Sequence, residues 1–364
     1  MTRFLPLLAL LLTASLAHAQ HVPVTTASDA ARDHYALALT QVSYVDFDAA
    51  RAHLDAAIEA DPQFALAHIY RAWLSPAAEG AEHLRHAQAA RVSDAERQMV
   101  EAYAAHHDGD HDREIEIMRA LHEEHPDDGD VATWLGNEFY FNDRYDEAAA
   151  VLRRALEADP SNAGALNMLG YTLKEAGDAD GAERVFLEHI RVAPDEGNPY
   201  DSYGEFLLDE GRLDEAEVQF TKALARDPDL TASADHLVRI AMERSDLRFE
   251  QAVAGGDADA IAALYTENAM VMPPGAPPVQ GRDAIRDHFA GVLAAGIDGL
   301  DVQTAEVARF GNTAIRRSDI VLSAGGQVVD RAKALEVWRL VGGEWLYARD
   351  MYSSNGEAAT ADAN

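Results

Sequence analysis

A spacing of 34 residues, kept by four kinds of side chain, is the feature that most constrains how this chain can fold. The positions that keep the step are Gly136, Gly170 and Gly204; Ala148, Ala182 and Ala216; Leu152, Phe186 and Phe220; and Pro126, Pro160, Pro194 and Pro228. Glycine and alanine allow two helices to cross closely, and proline ends a helix. A fixed period of this length indicates stacked helical units rather than one globular core.

The last strong copy, YGEFLLDEGRLDEAEVQFTKALARDP, resembles the tetratricopeptide repeat, a helix–turn–helix unit. Weaker copies extend the register backwards, so we expect five or six repeats over residues 20–231, the strongest over 129–230. The resemblance implies an all-α solenoid that binds a protein or peptide on a groove formed by the first helix of each repeat. The positions that match this groove are Asn137, Tyr140, Asn167, Tyr171, Lys174, Asp201 and Glu205.

The charge of the groove positions bears on their ligand. Lys174 is nearly the only cation among them, and Asp201 and Glu205 oppose it. A basic or neutral ligand therefore fits better than the clamp for a carboxylate terminus that some members of this family carry. The alternative interpretation is a solvated helical face without a ligand.

The amino terminus is typical of a targeting segment. Arg3 is its only charge, Phe4–Leu16 is a short apolar run, and Ala17-His18-Ala19 provides a cleavage pattern of small residues. We expect residues 1–19 to be a signal peptide and the protein to be exported, to the periplasm or outside the cell. No later stretch approaches 18 uninterrupted apolar residues, so no membrane span is predicted.

The composition excludes several classes of function. The chain has 30 lysines and arginines against 63 aspartates and glutamates, a net charge of −33, which disfavours nucleic acid. It contains no cysteine, which excludes disulfides and zinc–thiolate sites. This acidic surface is explained either by solvation in a salty exterior or by a cationic partner.

The pattern changes after Pro228. Residues 232–254 predict one long helix, and shorter helices are predicted over 257–266 and 281–295 with a short strand at Met270–Met272. Four strands follow, at about 300–309, 312–322, 327–340 and 344–352, and glycine-containing turns between them predict an antiparallel meander. We expect an α+β domain over 232–354 and a disordered tail over 355–364.

Two segments, LYTENAMVMPPGAPPVQGRDAIRDHFAGVL and LEVWRLVGGEWLYARDMYSS, resemble the SnoaL-like branch of the nuclear transport factor 2-like superfamily, which includes ketosteroid isomerases and polyketide cyclases. The resemblance implies a cone-shaped α+β barrel around a ligand pocket. The positions expected to line this pocket are Phe249, Tyr265, Met272, Phe289, Glu336, Trp338, Asp350 and Tyr352.

The resemblance does not carry the isomerase chemistry with it. Those enzymes need a tyrosine donor, an aspartate base and a protonated carboxylic acid, but Phe249 and Pro273 occupy the first two positions and only Glu336 matches the third. Loss of one oxyanion donor already costs about 3–4 kcal/mol in comparable sites. No catalytic residue is therefore assigned.

A mechanism with a single carboxylate stays open. Alternation along the predicted strands directs Glu336 and Asp350 to faces that can point into an apolar cone, where burial would raise the pKa of the carboxyl and make it an acid or base. The alternative is a salt bridge with a neighbouring arginine; the candidates are Arg316, Arg331 and Arg349.

The segment HHDGDHDREIE, residues 106–116, is rich in metal-ligating atoms. Asp108, Asp110 and Asp112 imitate the start of a calcium loop, but Arg113 and Arg119 stand where that loop needs glycine and glutamate. A zinc site would need three or four side chains to converge. Because the segment falls on the turn of a weak repeat, we expect a solvated turn, with no metal and no other cofactor.

Two functional hypotheses follow. The first is an exported, non-enzymatic binding or scaffold protein, in which the repeats engage a protein or peptide and the cone binds a small apolar ligand or forms a homodimer. The alternative is an isomerase, cyclase or hydrolase that acts on a small apolar substrate with one carboxylate, the repeats serving to recruit it.

Overall fold

The computed structural model describes residues 21–355. The predicted signal peptide and all of the predicted tail except Asn355 lie outside these residues. The chain divides into two compact units, Met1–Phe206 and Leu207–Asn364. Among the described residues, no helix combines the length and apolar character needed to cross a membrane.

The first unit is built from helices that pack in consecutive pairs. Its helices are α1 (Asp29–Ser43), α2 (Phe47–Ala60), α3 (Ala65–Trp73), α4 (Ala77–Ala89), α5 (Asp94–Asp108), α6 (His111–Glu124), α7 (Gly129–Phe141), α8 (Tyr145–Ala158), α9 (Ala163–Glu175), α10 (Ala179–Val192) and the start of α11 (Asn198–Asp209). The predicted all-α repeat region is thus confirmed.

The repeated small residues lie where paired helices touch. A Cβ atom added to Gly136 would lie 2.8 Å from the Leu152 side chain, and one added to Gly170 would lie 2.5 Å from the Phe186 ring. Ala148 and Ala182 are fully buried. The 34-residue period therefore repeats an interhelical contact that leaves no room for a larger side chain.

The turns inside the helix pairs repeat a left-handed backbone. Gly109, Gly177 and Gly211 have φ values of 75°, 81° and 73°. Asp143 occupies the same register position in the pair α7–α8 and has φ 58°. Glycine adopts this conformation without a steric penalty, and aspartate is among the residues that tolerate it.

The second unit contains helices α12 (Leu213–Arg226), α13 (Thr231–Gly255), α14 (Ala258–Ala263) and α15 (Arg282–Ala294). Its strands are β1 (Tyr265–Met272), β2 (Val279–Gln280), β3 (Gly299–Phe310), β4 (Thr313–Ala324), β5 (Gln327–Val341) and β6 (Glu344–Ser354). They form one sheet in the order β2-β1-β6-β5-β4-β3. The predicted α+β class is confirmed, and β3–β6 form the antiparallel meander.

Two sequence expectations for this unit need correction. The predicted helix over 257–266 ends early, because β1 begins at Tyr265 and pairs in parallel with β6. The predicted strand Met270–Met272 is only the end of β1. The polar residues Thr266, Glu267 and Asn268 at the start of β1 concealed it, because they interrupt the apolar pattern of a strand.

A register shift in β6 changes which side chains point inward. Val337 pairs with Arg349 and Trp338 pairs with Tyr347, so Ala348 has no counterpart in β5. Strict alternation along residues 344–352 predicts Leu346, Ala348, Asp350 and Tyr352 on one face. Tyr347 is buried instead, at 2% exposure, and Leu346 lies in a surface cleft beside Val337.

Candidate functional site

A cleft of about 310 Å³ lies on the first unit. Residues of α1, α3, α5, α7 and α9 line it, which are the first helices of successive pairs, together with Val45 and Phe47 after α1. Gly164 of α9 lies next to Ser43 at the end of α1, so the first helix closes one side. The aromatic residues in the lining are Phe47, Tyr70, Trp73, Tyr103, Trp134 and Phe141.

The rim of the cleft exposes large apolar side chains. Phe141 is 74% exposed and Trp73 is 44% exposed. Trp73 packs edge-on against Phe47, with ring centroids 5.7 Å apart. Exposed aromatic side chains grouped around a concavity are typical of a binding surface.

Two asparagines in the lining have unsatisfied polar atoms. The Oδ1 atoms of Asn137 and Asn167 are buried and, among residues 21–355, have no hydrogen-bond partner. Both residues line the cleft. A buried amide oxygen without a partner carries a desolvation cost of about 1–3 kcal/mol, which a donor from a ligand would remove.

The other predicted groove positions lie outside this lining. Tyr171 donates a hydrogen bond of 2.5 Å to Glu205, which lies 34 residues, one repeat, further along the chain. Lys174 lies 6.0 Å from the centre of the Tyr171 ring. Asp201 is buried, and the ring of Tyr140 packs against Phe141. The structure thus brings Asn137 and Asn167 together at the cleft and places the remaining five elsewhere.

Sequence reasoning missed the part of the cleft contributed by α1 and α3. The period of 34 residues is not visible in these helices, so nothing marked Leu39, Val42, Tyr70 or Trp73 as binding residues. Their aromatic and apolar character was the only available signal, and core residues share it.

Four ionisable side chains converge at the edge of this cleft. His106 Nδ1 lies 3.0 Å from Glu114 and 3.6 Å from Glu138, and His111 Nδ1 lies 3.5 Å from each carboxylate. Glu114 is fully buried and Glu138 is 6% exposed. Hydrogen bonds to Glu114 and Glu138 raise the pKa of His106 to about 10. We call these four residues the His–Glu cluster.

The expected solvated turn is therefore only partly present. Asp108, Asp110 and Asp112 are exposed, as a solvated turn requires. Glu114 is buried, because the pair α5–α6 packs against α7 and directs this side chain inward. There, Trp134 Nε1 donates a 2.8 Å hydrogen bond to Oε1 of Glu114. The cluster could not be predicted because Glu138 belongs to the next repeat.

Aromatic side chains occupy the interior of the cone. Trp338, Tyr265 and Tyr347 are among the largest fully buried or nearly buried side chains, at 0%, 0% and 2% exposure. The centroid of the Tyr347 ring lies 3.8 Å from that of Trp338 and 5.0 Å from that of Tyr265. Phe249 and Phe289 pack edge to face, 5.4 Å apart. Met272 and Tyr352 are half-buried.

A buried ion network crosses this interior. Arg316 is fully buried and donates two hydrogen bonds to Asp246, of 2.6 and 2.9 Å, and one to Glu336. Burial opposes the charge of Arg316, but Tyr347, Glu336 and Asp246 hold its pKa above the usual arginine value. Glu336 also accepts a hydrogen bond from Ser318. The salt-bridge alternative therefore describes Glu336, through Arg316.

Asp350 has a different environment. It is 6% exposed, and Tyr265 donates a 2.6 Å hydrogen bond to it. Burial, with a contribution from the charge of Glu336, raises the pKa of Asp350 to about 7. Asp350 thus changes protonation near neutral pH. Arg316 was among the predicted salt-bridge partners, but Asp246 was not predicted as an interior group, since it lies 70 residues before Arg316.

Family comparisons match both parts of the chain. Models described as tetratricopeptide repeat match residues 135–199 and 199–230, and a model described as SnoaL-like domain matches residues 247–348. The chain therefore contains tetratricopeptide repeats followed by a C-terminal SnoaL-like domain.

Individual proteins match more weakly. Protein FlbA of Caulobacter vibrioides is 37% identical over 103 residues, which are 28% of this chain and 17% of FlbA. The chain thus spans about a sixth of this curated relative. A ketosteroid isomerase-like protein from Erwinia carotovora atroseptica is 22% identical, with 32% of this chain and 95% of that chain covered and a TM-score of 0.29. The MamA protein is 18% identical, with 55% of this chain and 92% of the MamA chain covered and a TM-score of 0.32.

Proposed function

We propose that this chain is an exported, non-enzymatic binding protein whose repeats hold a segment of another protein in the cleft of the first unit. The cleft itself supports this proposal, since it combines exposed aromatic side chains with two unsatisfied asparagine amides. Tetratricopeptide repeats, which the chain contains over residues 135–230, support protein interaction as the general role.

The chemistry of the lining describes the segment that would fit. Aromatic walls favour apolar side chains, and the Oδ1 atoms of Asn137 and Asn167 favour backbone N–H donors. The lining contains two acidic groups, Asp130 and Glu138, and one basic group, His106, which pairs with Glu138; the chain as a whole has a net charge of −33. An apolar segment of neutral or positive charge is therefore the preferred ligand.

A displayed library of random 15-residue peptides tests this proposal. We expect the full chain to enrich apolar, weakly basic peptides. Phe141→Glu should abolish their binding, because it places a charge on the rim. Leu187→Glu is the matched control, since Leu187 of α10 is 48% exposed and does not line the cleft. Peptides that bind both variants equally would refute the cleft as the binding surface.

For the second unit we propose a role in homodimerisation. Its interior is occupied by aromatic side chains, which favours this role over the binding of a small ligand. The outward face of the sheet exposes Ile315, Leu335 and Met351, at 38%, 47% and 45%. Cross-strand pairing of Leu335 with Met351 makes these side chains neighbours. Arg317 pairs with Leu335 on its other side, so the surface mixes apolar side chains with an arginine, a composition that suits contact with a second copy.

Export to the periplasm or the medium is part of the proposal and rests on residues 1–19 alone. Sequencing the amino terminus of the protein isolated from its native source tests it. A mature chain that begins at Gln20 is expected. A chain that retains Arg3 and the apolar run Phe4–Leu16 would refute export by cleavage.

A second candidate function, acid–base catalysis in the cone, is favoured by Asp350. Its pKa of about 7 and its hydrogen bond from Tyr265 suit a group that exchanges protons near neutral pH. The test is turnover of a panel of small apolar ketones and esters by the full chain. Catalysis by Asp350 requires that Asp350→Asn abolish any activity found; activity that survives this change would exclude it.

A further inference from the structure

We infer that the His–Glu cluster is a binding site for one divalent transition-metal ion, with Zn²⁺ the best fit. The four ligand atoms come from His106, His111, Glu114 and Glu138 and lie within 4.8 Å of one another. Two imidazole nitrogens and two carboxylate oxygens form a donor set that zinc accepts in proteins. This inference is independent of what occupies the cleft.

The nitrogen–oxygen spacings of the cluster are close to those of a tetrahedral zinc site. Zinc bonds of about 2.0–2.1 Å to nitrogen and oxygen require ligand atoms about 3.3 Å apart. Oε2 of Glu114 lies 3.0 and 3.5 Å from the two histidine nitrogens, and Glu138 places Oε1 3.6 Å from His106 and Oε2 3.5 Å from His111. An ion would therefore fit among these side chains once the Glu138 carboxylate turns to present one oxygen, or binds through both.

The charges of the cluster also favour a cation. Glu114 and Glu138 are two carboxylates held together in a largely buried position. Their mutual repulsion and lost hydration need compensating positive charge, of which a protonated His106, in contact with both carboxylates, supplies one unit. One divalent ion bound by two neutral imidazoles would balance both carboxylates.

Neighbouring groups hold a ligand in place and leave a path to solvent. Trp134 Nε1 donates to Oε1 of Glu114 and leaves Oε2, the atom that faces both histidines, available to an ion. An outer hydrogen bond of this kind orients a metal ligand. The side chains of His106 and His111 are 33% and 48% exposed, so an ion can enter from their side.

The position of the site suggests what the ion would do. His106 belongs to α5, His111 and Glu114 to α6, and Glu138 to α7. A bound ion would link two consecutive helix pairs beside the cleft, because Glu138 and His106 also line it. We therefore expect a structural ion that stabilises the repeats.

Calorimetric titration of the full, metal-free chain with Zn²⁺ is the first test. We expect one tight site whose affinity falls at least tenfold in His111→Asn, with a zinc-dependent rise in melting temperature that this variant loses. His107→Asn is the matched control, since His107 lies on the same turn, is exposed, and is not in the cluster. Equal affinities in all three proteins would overturn the inference.

Other histidine groups could bind zinc, so the site must also be located. His68 Nδ1 lies 3.0 Å from His83 Nδ1, and His34 Nδ1 lies 3.2 Å from His53 Nδ1. Saturating Co²⁺ should quench the fluorescence of Trp134, which contacts Glu114 directly. Trp134→Phe should remove most of the quenching. Quenching that is unchanged in this variant would place the ion elsewhere and overturn the inference.

Discussion

Asp350 and Glu336 show how strongly a carboxylate's chemistry depends on its neighbours. Both were predicted as candidates from strand alternation, and both are buried on the inward side of the sheet. Arg316 pairs with Glu336, whereas the hydrogen-bond donor to Asp350 is the neutral hydroxyl of Tyr265. Sequence could place the two carboxylates in the domain but could not choose between these outcomes, because Arg316 reaches Glu336 only after β4 and β5 pair.

The raised pKa of Asp350 predicts a pH-dependent cost to folding. The folded state binds this proton up to a pH of about 7, whereas the unfolded state releases it near 3.8. The free energy of unfolding therefore falls as pH rises from about 4 to about 7, and Asp350 accounts for about 4 kcal/mol of this fall. Above this range the contribution of Asp350 is constant.

Asp350→Asn tests this at the same residue. Asparagine keeps the oxygen that accepts from Tyr265 and cannot ionise. Denaturant unfolding at several pH values should show the variant gaining stability relative to the original chain as pH rises from 4 to 7. A difference in stability that stays constant over this range would contradict the assigned pKa.

At the scale of elements, the period of the helices and the turns of the meander were readable from sequence because each depends on local chemistry. Glycine and alanine recur where helices touch, and Gly325-Gly326 and Gly342-Gly343 lie between the strands β4, β5 and β6. The extra residue in β6 was not readable, since a bulge is defined only relative to the partner strand. The early start of β1 likewise depends on its pairing with β6.

Helix α9 carries two glycines that should respond oppositely to alanine. A Cβ on Gly170 would lie 2.5 Å from the Phe186 ring, whereas one on Gly164 would have only ordinary contacts, at 3.6 Å. We expect Gly170→Ala to destabilise the first unit by about 1–3 kcal/mol. Gly164→Ala should be neutral or stabilise it by up to about 1 kcal/mol. Thermal unfolding followed by circular dichroism measures both; equal effects would contradict the close helix crossing.

For the whole molecule, the order of a repeat region and an α+β domain follows from sequence, but its functional sites do not. Asn137 and Asn167 were predicted from the repeat register and do line the cleft. The His–Glu cluster and the contributions of α1 and α3 depend on how successive helix pairs stack, and Asp246 meets Arg316 across 70 residues of chain. Such contacts between residues far apart in sequence depend on tertiary packing, which local sequence patterns do not predict.

Self-association of the whole chain tests the proposed dimer face. Leu335→Glu places a carboxylate beside Met351 on this face and should convert a dimer into a monomer in sedimentation velocity. Leu247→Glu provides the control, because Leu247 is a similarly exposed leucine, at 49%, on helix α13. A monomeric original chain, or a dimer that survives Leu335→Glu, would rule out this face.

Photo-crosslinking with a selected peptide tests the proposed binding surface most directly. A benzophenone group on the peptide reacts with nearby C–H bonds, and mass spectrometry then locates the modified residues. The cleft predicts adducts on Trp73, Trp134, Phe141 and Met168, all of which line it. Adducts confined to α8, α10 or the second unit would contradict the account.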